Sequence, residues 1–529
     1  MSEKVKYFAR EATGLTRTIG TMDALVLNLS LMSLGYLCVY IVFGPATFFG
    51  ANMMVALGIG LLINLILGVL YYMFSITMPR TGGDYVFVSR VVHPAVGLLS
   101  NFWLVVILLT AIGIVSVWLV VDGIAALLWS LGTVMGDAGL LSLYSVLMEP
   151  SIQMIAAIII VILMTAVLLA GTRTYIRITW VLFTIMILGM ITTLATMLIV
   201  GHSGFVEGFE SISGTTIENV ISAARAAGYP SGVNWSNTSL AVTFMMLNFV
   251  GAFWSVYFAG EVREVRKTQL YGIFGAFLVF TVVGLAIYGT LYSVIGFDAV
   301  NALAYTSAIG DPSYTIPVMP YAHQLIVFFT NNPVLIFLAA MVFIGSNLCN
   351  NMCMVFNASR MLFAWSFDRI IPPGFSDLDK RFNAPWKIIL LIAIISIISI
   401  PIYLYTAAFD YLMYSITGYA IIYFIASVAA IVFPYTRKDI FQDASPIVQS
   451  KIGGIPVISI LGVVSAIFSV YIGYSTLTPA YLGGPLQAEY LWPVLIITIL
   501  GPIIYGISYY ANKRKGIDLN QTFKMIPPL

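Results

Sequence analysis

The chain consists mainly of about twelve long apolar stretches, and its positive charges fall on one side of them. When the stretches are threaded alternately through a bilayer with the N-terminus inside, all of the 24 Lys and Arg residues except Arg225 fall in the two tails or in inward loops. Cytoplasmic loops of membrane proteins are rich in Lys and Arg. The pattern therefore predicts a multi-pass protein of the cytoplasmic membrane, with an even number of spans and both termini in the cytoplasm.

The composition agrees with this topology. Of the 529 residues, 60% are hydrophobic and only 9% are charged, whereas a soluble protein carries about 25% charged residues. A helix needs about 20 apolar residues to cross the hydrocarbon core, so twelve spans would use roughly half of the chain. The predicted fold class is an all-α polytopic membrane protein with about twelve transmembrane helices.

We number the predicted spans 1 to 12 in chain order. They cover residues 18–44, 52–77, 95–121, 151–171, 179–201, 239–260, 270–295, 331–358, 388–405, 408–433, 454–478 and 489–510. Residues 1–17 and 511–529 form the predicted cytoplasmic tails, and residues 202–238 form a long extracellular loop. The gaps between spans are at most about forty residues, which is too short for a separate soluble domain.

Motifs of several other protein classes are missing from the sequence. No Gly-Lys pair is followed by Ser or Thr, so a nucleotide-binding phosphate loop is not expected. Neither a His-Glu-x-x-His motif nor a Gly-x-Ser-x-Gly elbow occurs, so enzymatic activity is not expected. No basic stripe indicates a nucleic-acid surface, and the scattered histidines and cysteines indicate no metal site. We expect no cofactor. We expect the chain to be embedded in a lipid bilayer.

Ionisable residues avoid the predicted centres of the spans. Asp23 lies near the inner end of span 1, and Asp122 lies at the predicted outer end of span 3. A charge at the bilayer midplane is costly and usually functional. A cationic substrate would need a carboxylate at that depth, and a proton relay would need an ionisable group there. The sequence therefore favours a zwitterionic or neutral substrate.

Two spans carry small and polar residues near their middles. Span 1 contains the segment Asn28–Gly35, and span 6 contains Leu247–Trp254, in which Asn248 and Gly251 flank an apolar pair. Glycine lowers the cost of leaving a helix, and broken helices offer free backbone groups to substrates in many transporters. The alternative is tight helix packing, which also uses small residues. The pattern predicts that spans 1 and 6 are broken.

Span 8 is rich in amide side chains. Asn347, Asn350 and Asn351 follow i, i+3, i+4 spacing and share one helical face. Together with Ser30 in span 1, they are candidate oxygen ligands for a coupling Na⁺ ion. The alternative is hydrogen bonding between helices inside the membrane.

Three inward segments carry a family resemblance. They are Met78–Tyr85 after span 2, Ala259–Val262 at the end of span 6, and Ser359–Pro372 after span 8, with Asn383–Pro385 before span 9. Together they resemble the amino acid permeases of the amino acid–polyamine–organocation superfamily. The resemblance covers spans 1 to 10 in order.

The resemblance implies the leucine-transporter fold, with two five-helix repeats of inverted topology and two further helices. The repeats would cover residues 18–201 and 239–433, and helices 11 and 12 would cover 454–510. It also implies that substrate binds between the breaks of spans 1 and 6. Gly251 matches the glycine of the family's sixth-span motif, and Glu261 matches its acidic residue.

The expected binding site follows from these breaks. Backbone groups at Ser30–Gly35 and at Asn248–Phe253 would meet the substrate. Phe249, Phe253 and Trp254 would form apolar walls and a lid, and Thr110 of span 3 would form a further wall. The expected substrate-binding residues are Ser30, Met32, Ser33, Leu34, Gly35, Thr110, Asn248, Phe249, Val250, Gly251, Ala252, Phe253 and Trp254.

The inward segments also carry charges that could form ion pairs at the cytoplasmic mouth, breaking when the protein opens inward. The expected gate residues are Arg80, Asp84, Glu261, Arg263, Arg360 and Asp368. The alternative is a solvated cluster that only sets topology, in which each pair contributes little.

These observations predict a secondary active transporter that moves an amino acid by alternating access. Coupling by Na⁺, by H⁺ and by substrate exchange all stay open, and protein partners are not indicated. The alternatives are a polyamine or amine permease, a membrane channel, and an amino acid sensor that does not transport. A deep carboxylate would favour the amine permease, and fast, non-saturable flux would favour the channel.

Overall fold

The computed structural model describes residues 14–406, 415–482, 485–486 and 488–526. Within these residues, twelve helices are long and apolar enough to cross a membrane, which confirms the predicted fold class. They are Thr21–Thr47, Met53–Thr77, Pro94–Met135, Pro150–Leu169, Thr172–Ser213, Trp235–Tyr257, Val265–Val294, Pro333–Phe367, Trp386–Tyr405, Ile416–Thr436, Val457–Ser475 and Leu491–Arg514. They keep the numbers 1 to 12. The predicted tail residues 1–13 and 527–529 and the start of span 10 at 408–414 lie outside the described residues.

Spans 3 and 5 exceed their predicted lengths the most. Span 3 continues to Met135 through a π-helical segment, Leu119–Ala125, so Asp122 lies within the helix and not at its end. Span 5 continues to Ser213 across a bend at Gly201, where φ is 70°. The predicted loop 202–238 therefore starts with helix and contains a second one, Ile217–Ala226. The helix thus continues past Asp122 in span 3 and through the polar residues after Gly201 in span 5, where the predicted spans stop.

Spans 1 and 6 lie at the centre of the bundle. In their most apolar stretches 83% and 88% of the residues are buried, compared with 17% in span 12. A helix that is apolar on all sides is buried by other helices or by lipid. The central position means that other spans surround any irregular backbone in spans 1 and 6, as membrane depth requires.

Shorter elements complete the two ends of the bundle. The helices are Asp84–Val91, Ala138–Leu147, Ile217–Ala226, Phe297–Ile309, Lys438–Gln442, Pro446–Gln449, Pro479–Leu482 and Leu519–Lys524; the 3₁₀ turns are Ala259–Glu261, Leu325–Phe328 and Pro373–Ser376; and the strands are Lys451–Ile452 and Ile455–Pro456, paired antiparallel. We call the end that holds Asp84–Val91 and Ala259–Glu261 the basic face. The end that holds Ile217–Ala226 and Phe297–Ile309 is the opposite face.

Candidate functional site

Span 1 is interrupted at Ser33. Its two helical segments, Thr21–Met32 and Leu34–Thr47, meet at this residue, which has the left-handed conformation φ 59°, ψ 87°. Such a conformation costs free energy for a residue other than glycine. Span 8 holds it in place, because the Ser33 and Ser346 hydroxyls lie 2.9 Å apart and the Gly35 N–H donates to Ser346 Oγ over 2.8 Å.

Gly35 allows span 8 to approach this interruption closely. A Cβ atom at this position would lie 2.8 Å from both Ser346 Cβ and the Val342 carbonyl oxygen. On the other side of the interruption, Asn350 Nδ2 donates to the Leu31 carbonyl over 2.7 Å. Span 8 therefore supplies polar partners to both ends of the break.

Span 6 changes helix type where the sequence predicts a break. An α-helix, Trp235–Phe249, passes directly into a 3₁₀ segment, Val250–Tyr257, which is distorted at Phe253 (φ −112°, ψ 16°). The predicted break is thus a change of helix type and not a gap. A 3₁₀ segment is narrower than an α-helix and often marks a functional hinge.

The 3₁₀ segment packs directly on the end of the first segment of span 1. A Cβ atom at Gly251 would lie 2.5 Å from the Met32 nitrogen and 2.7 Å from the Leu31 carbonyl carbon. Further along, the Ser255 N–H donates to Asn28 Oδ1 over 2.9 Å, and Asn28 Nδ2 donates to Ser255 Oγ over 3.2 Å. The irregular parts of the two spans therefore touch backbone to backbone.

An inner cavity of about 160 Å³ lies beside this contact. It is bounded by spans 1, 3, 6, 8 and 10. Its lining residues are Leu31, Met32, Tyr36, Tyr40, Ile107, Leu108, Ala111, Ile114, Val115, Trp118, Asn248, Val250, Gly251, Trp254, Asn350, Met354 and Tyr419. None of these side chains is charged, and most are apolar.

Asn248 is the most polar wall of the inner cavity that lacks protein partners. Its side chain is buried, and neither its amide nitrogen nor its amide oxygen has a hydrogen bond within the part of the chain that the structure describes. A buried amide without partners costs about 1–3 kcal/mol. Buried polar groups left in this state often serve a bound molecule.

An outer cavity of about 590 Å³ continues from the inner one toward the opposite face. The two cavities share Tyr36 and Trp118 as lining residues. The Trp118 indole N–H donates to the Tyr403 hydroxyl over 3.0 Å, and Tyr36 packs edge-on against Trp118 at 6.3 Å. Aromatic side chains thus separate the two chambers.

At the basic face, Glu261 and Arg360 form a buried ion pair. Arg360 Nε donates to Glu261 Oε1 over 2.7 Å, and its Nη2 donates to Oε2 over 2.9 Å. The guanidinium also lies 3.8 Å above the Phe356 ring and donates to Thr172 Oγ1. Bidentate Arg–carboxylate pairs of this kind are strong and hold the two side chains in a fixed geometry.

A second buried ion pair lies at the same face. Arg90 Nη2 and Asp368 Oδ2 are 2.6 Å apart, and both side chains are at most 2% exposed. The Arg90 guanidinium also lies 4.8 Å above the ring of Phe523, which belongs to the C-terminal helix Leu519–Lys524. The pair therefore connects the helix Asp84–Val91 with span 8 and with the end of the chain.

Asp84 lies in a buried polar cluster between these pairs. Its carboxylate accepts hydrogen bonds from the Ser100 hydroxyl, the Asn101 amide and the Tyr85 backbone N–H, at 2.8, 2.9 and 3.0 Å. Burial raises the pKa of Asp84, and these hydrogen bonds oppose that rise. Asp84 thus organises neutral partners at the basic face.

One comparison with known proteins decides the family. The sequence model of a family described as amino acid permease matches residues 19–504, which is almost the whole chain. The chain belongs to the amino acid permease family. Among curated proteins none matches it. The resemblance noted in the sequence is therefore confirmed, and this permease is a multi-pass membrane protein.

Five of the predicted substrate-binding residues line the inner cavity of the permease. They are Met32, Asn248, Val250, Gly251 and Trp254. They come from the two irregular segments, as the pattern of small and polar residues predicts.

The other predicted substrate-binding residues do not line the inner cavity. Ser33 and Gly35 bond to span 8, and Phe249 packs on Phe280 at 5.3 Å between ring centroids. Phe253 stacks on Tyr71 at 4.5 Å, so it belongs to the packed interior of the bundle and not to a lid. Ser30, Leu34 and Ala252 are also buried away from the cavity.

Thr110 also lies away from the cavity. Its side chain is exposed on the outside of span 3 and donates to the Val106 carbonyl of its own helix. The wall from span 3 is formed instead by Ile107, Ala111, Val115 and their neighbours. Thr110 is three residues from Ile107 and four from Ile114, so it lies on the flank of this face, and its hydroxyl bonds back to its own helix.

Three tyrosines in the wall of the inner cavity were not predicted, Tyr36 and Tyr40 of span 1 and Tyr419 of span 10. Tyr36 and Tyr40 follow the break at Ser33 and lie four residues apart, so both point to one side of the second segment of span 1. Aromatic residues are frequent throughout this chain, so only the position of Tyr36 and Tyr40 after the break could have indicated a role.

The predicted ion-binding amides point to different neighbours. Asn350 bonds to Leu31, whereas Asn351 Nδ2 donates to Ser116 Oγ over 2.8 Å in span 3. Asn347 is buried, and neither of its amide atoms is hydrogen-bonded within the described chain; the same holds for the Ser30 hydroxyl. The shared face of span 8 thus serves helix packing as well as the break.

The predicted gate residues fall into three groups by their partners: ion pairs, neutral hydrogen-bond donors and backbone carbonyls. Glu261 and Arg360 pair with each other, while Asp368 pairs with Arg90, which was not predicted. Asp84 accepts hydrogen bonds from neutral groups. The remaining two donate to backbone carbonyls: Arg80 to Pro79 and Arg263 to Arg17.

Proposed function

We propose that this permease is a secondary active transporter that moves a zwitterionic or neutral amino acid across the cytoplasmic membrane by alternating access. The observation that carries the proposal is the inner cavity, which lies where the interrupted span 1 meets the 3₁₀ segment of span 6. Family membership supports amino acids as the class of substrate.

The ends of the two helical segments of span 1 suit the two charges of an amino acid. The second segment begins at Leu34, and although its Gly35 N–H is bonded to Ser346 Oγ, the half positive charge of a helix N-terminus favours a carboxylate in the neighbouring cavity. The first segment ends at Met32, where free carbonyl oxygens attract an ammonium group. The unpartnered amide of Asn248 adds a donor and an acceptor.

The walls of the inner cavity favour a substrate without net charge. No lining side chain is an Asp, Glu, His, Lys or Arg. An isolated net charge in such surroundings is costly to bury. The volume of about 160 Å³ corresponds to about five water molecules, so the substrate must be small.

We place the basic face in the cytoplasm, because its loops carry the Arg and Lys residues. The outer cavity then faces the outside, and the Glu261–Arg360 and Arg90–Asp368 pairs close the inside. Opening inward would require both pairs to separate or to move as units. Breaking a buried pair costs about 3–5 kcal/mol, which suits a gate that opens only with bound substrate.

Coupling is proposed through Na⁺, with H⁺ and exchange as the alternatives. The Ser30 hydroxyl and the Asn347 amide carry buried oxygen atoms without hydrogen bonds within the described chain. Neutral oxygens are suitable ligands for a small cation beside a broken helix.

Transport by the purified protein in sealed vesicles tests the proposal. Uptake of labelled leucine, arginine and putrescine is measured with Na⁺ and pH gradients imposed separately and with unlabelled leucine inside. We expect saturable leucine uptake, absent from protein-free vesicles, that exceeds putrescine uptake. Saturable uptake of putrescine without leucine would favour an amine permease. Non-saturable flux would favour a channel, and binding without flux would favour a sensor.

A further inference from the structure

The outer cavity contains a carboxylate whose position hydropathy does not reveal. Asp122 lies in the π-helical segment Leu119–Ala125 of span 3 and lines the cavity. Single π-helical turns inside α-helices are frequent at functional sites. The cavity is bounded on the inner side by Tyr36 and Trp118, which it shares with the proposed substrate site.

No basic side chain of the described residues pairs with Asp122. The Asp122 backbone carbonyl accepts a hydrogen bond from Gln324 Nε2 at 2.9 Å, and its carboxylate has no protein donor in the described chain. His323 does not line this cavity but stacks on Phe343, which does; burial lowers the pKa of His323 to about 3, although the Asp122 carbonyl opposes the shift. His323 is therefore neutral at pH 7 and leaves the carboxylate uncompensated.

The other walls of the outer cavity suit an organic cation. Six lining residues present aromatic rings, namely Tyr36, Phe43, Trp118, Tyr321, Phe343 and Tyr403, and the remaining lining is mostly aliphatic. Cations are attracted to the faces of aromatic rings, most strongly where water is excluded. A carboxylate in surroundings of low polarity attracts a cation more strongly than one in water.

We propose that the outer cavity binds alkylammonium groups, with Asp122 as the ion-pair partner and the six aromatic rings as contacts for the apolar part. The ligand is the ammonium group of an amino acid on its way to the inner cavity or of a free amine. The order of the two sites rests on the proposed function, but the binding of an ammonium group at Asp122 does not.

Calorimetric titration of the purified full-length protein tests the site with n-butylammonium and butyrate as probes. We expect wild type to bind n-butylammonium and not butyrate. Asp122→Asn, which keeps the shape of the side chain, should weaken this binding at least tenfold, and Asp122→Glu should retain it. Glu207→Gln, which removes an exposed carboxylate, is the matched control and should match wild type. Equal affinity in Asp122→Asn, or no binding to folded wild type, would overturn the proposal.

A second measurement does not depend on the fold of the Asp122 variants. In Val121→Cys, a thiol in the wall of the outer cavity is alkylated with N-ethylmaleimide. We expect n-butylammonium to slow the reaction and butyrate to leave it unchanged. Protection by leucine as well identifies amino acids as ligands, and protection by the amine alone identifies free amines. Protection by neither would refute the site.

The two proposals fail separately. If vesicles show no leucine transport but n-butylammonium binding depends on Asp122, the transport function is wrong and the ammonium site stands. If leucine is transported and Asp122→Asn binds n-butylammonium like wild type, the ammonium site is wrong and the transport function stands.

Discussion

Gly251 has no space for even one methyl group. A Cβ atom there would lie 2.5 Å from the Met32 nitrogen, so the 3₁₀ segment of span 6 and the end of the first segment of span 1 would have to separate. Overpacking of this kind costs about 1–3 kcal/mol. The contact also forms one edge of the inner cavity.

We predict that Gly251→Ala lowers the affinity for leucine at least tenfold, because the groups that meet the substrate move apart. Equilibrium binding of labelled leucine to the purified protein measures this. Gly289→Ala is the control, since a Cβ at this position in span 7 meets no atom within 4 Å. Wild-type affinity in Gly251→Ala would show that the substrate lies elsewhere.

At this scale the sequence indicates Asn248, Gly251 and Trp254 through small and polar residues in an apolar span. It does not indicate the direction of Phe253, because side-chain directions in span 6 follow 3₁₀ dihedrals and a distorted residue. Helical spacing of 3.6 residues per turn cannot predict them. Arg90 was missed as the partner of Asp368 because the two are far apart in the chain.

Among the elements, span 8 determines the shape of the break in span 1. The Ser346 hydroxyl accepts the Gly35 N–H and bonds to the Ser33 hydroxyl, and so it occupies the start of the second segment. Removing the hydroxyl leaves the buried Gly35 N–H without this acceptor, and such a loss costs about 1–3 kcal/mol.

We predict that Ser346→Ala lowers the melting temperature of the purified protein and weakens leucine binding. In the control Ser396→Ala, the buried hydroxyl that is lost bonds only to the Ile392 carbonyl of its own helix. This control should change both quantities little. If both variants behave alike, span 8 does not hold the break.

The number and order of the spans could be predicted because apolar length is a direct requirement of the bilayer. The ends of spans 3 and 5 could not, since the helix continues through Asp122 in span 3 and through the polar residues after Gly201 in span 5. The π-helical segment at Asp122 also has no hydropathy signature. The expectation that Asp122 lies at a helix end was therefore wrong, whereas the lining of the inner cavity contains no carboxylate.

In the whole molecule, an inner and an outer cavity lie on one side of the break and two buried ion pairs lie on the other. A transporter that works by alternating access needs a state that is open on one side and closed on the other, and this asymmetry fits such a state. The C-terminal helix adds to the closed side, because Phe523 covers Arg90 and the Lys524 carbonyl accepts from Arg437. The inverted five-helix repeats stay a prediction of the resemblance.

The central claim is that the interrupted span 1 and the 3₁₀ segment of span 6 together bind an amino acid. An experimental density map of the protein saturated with leucine tests it most directly. We predict density in the inner cavity, with the charged groups of leucine toward the Met32 end of the first segment and the Asn248 amide and the side chain toward Val250 and Trp254. A map in which span 1 is continuous through Ser33, or in which leucine binds away from both segments, would contradict the account.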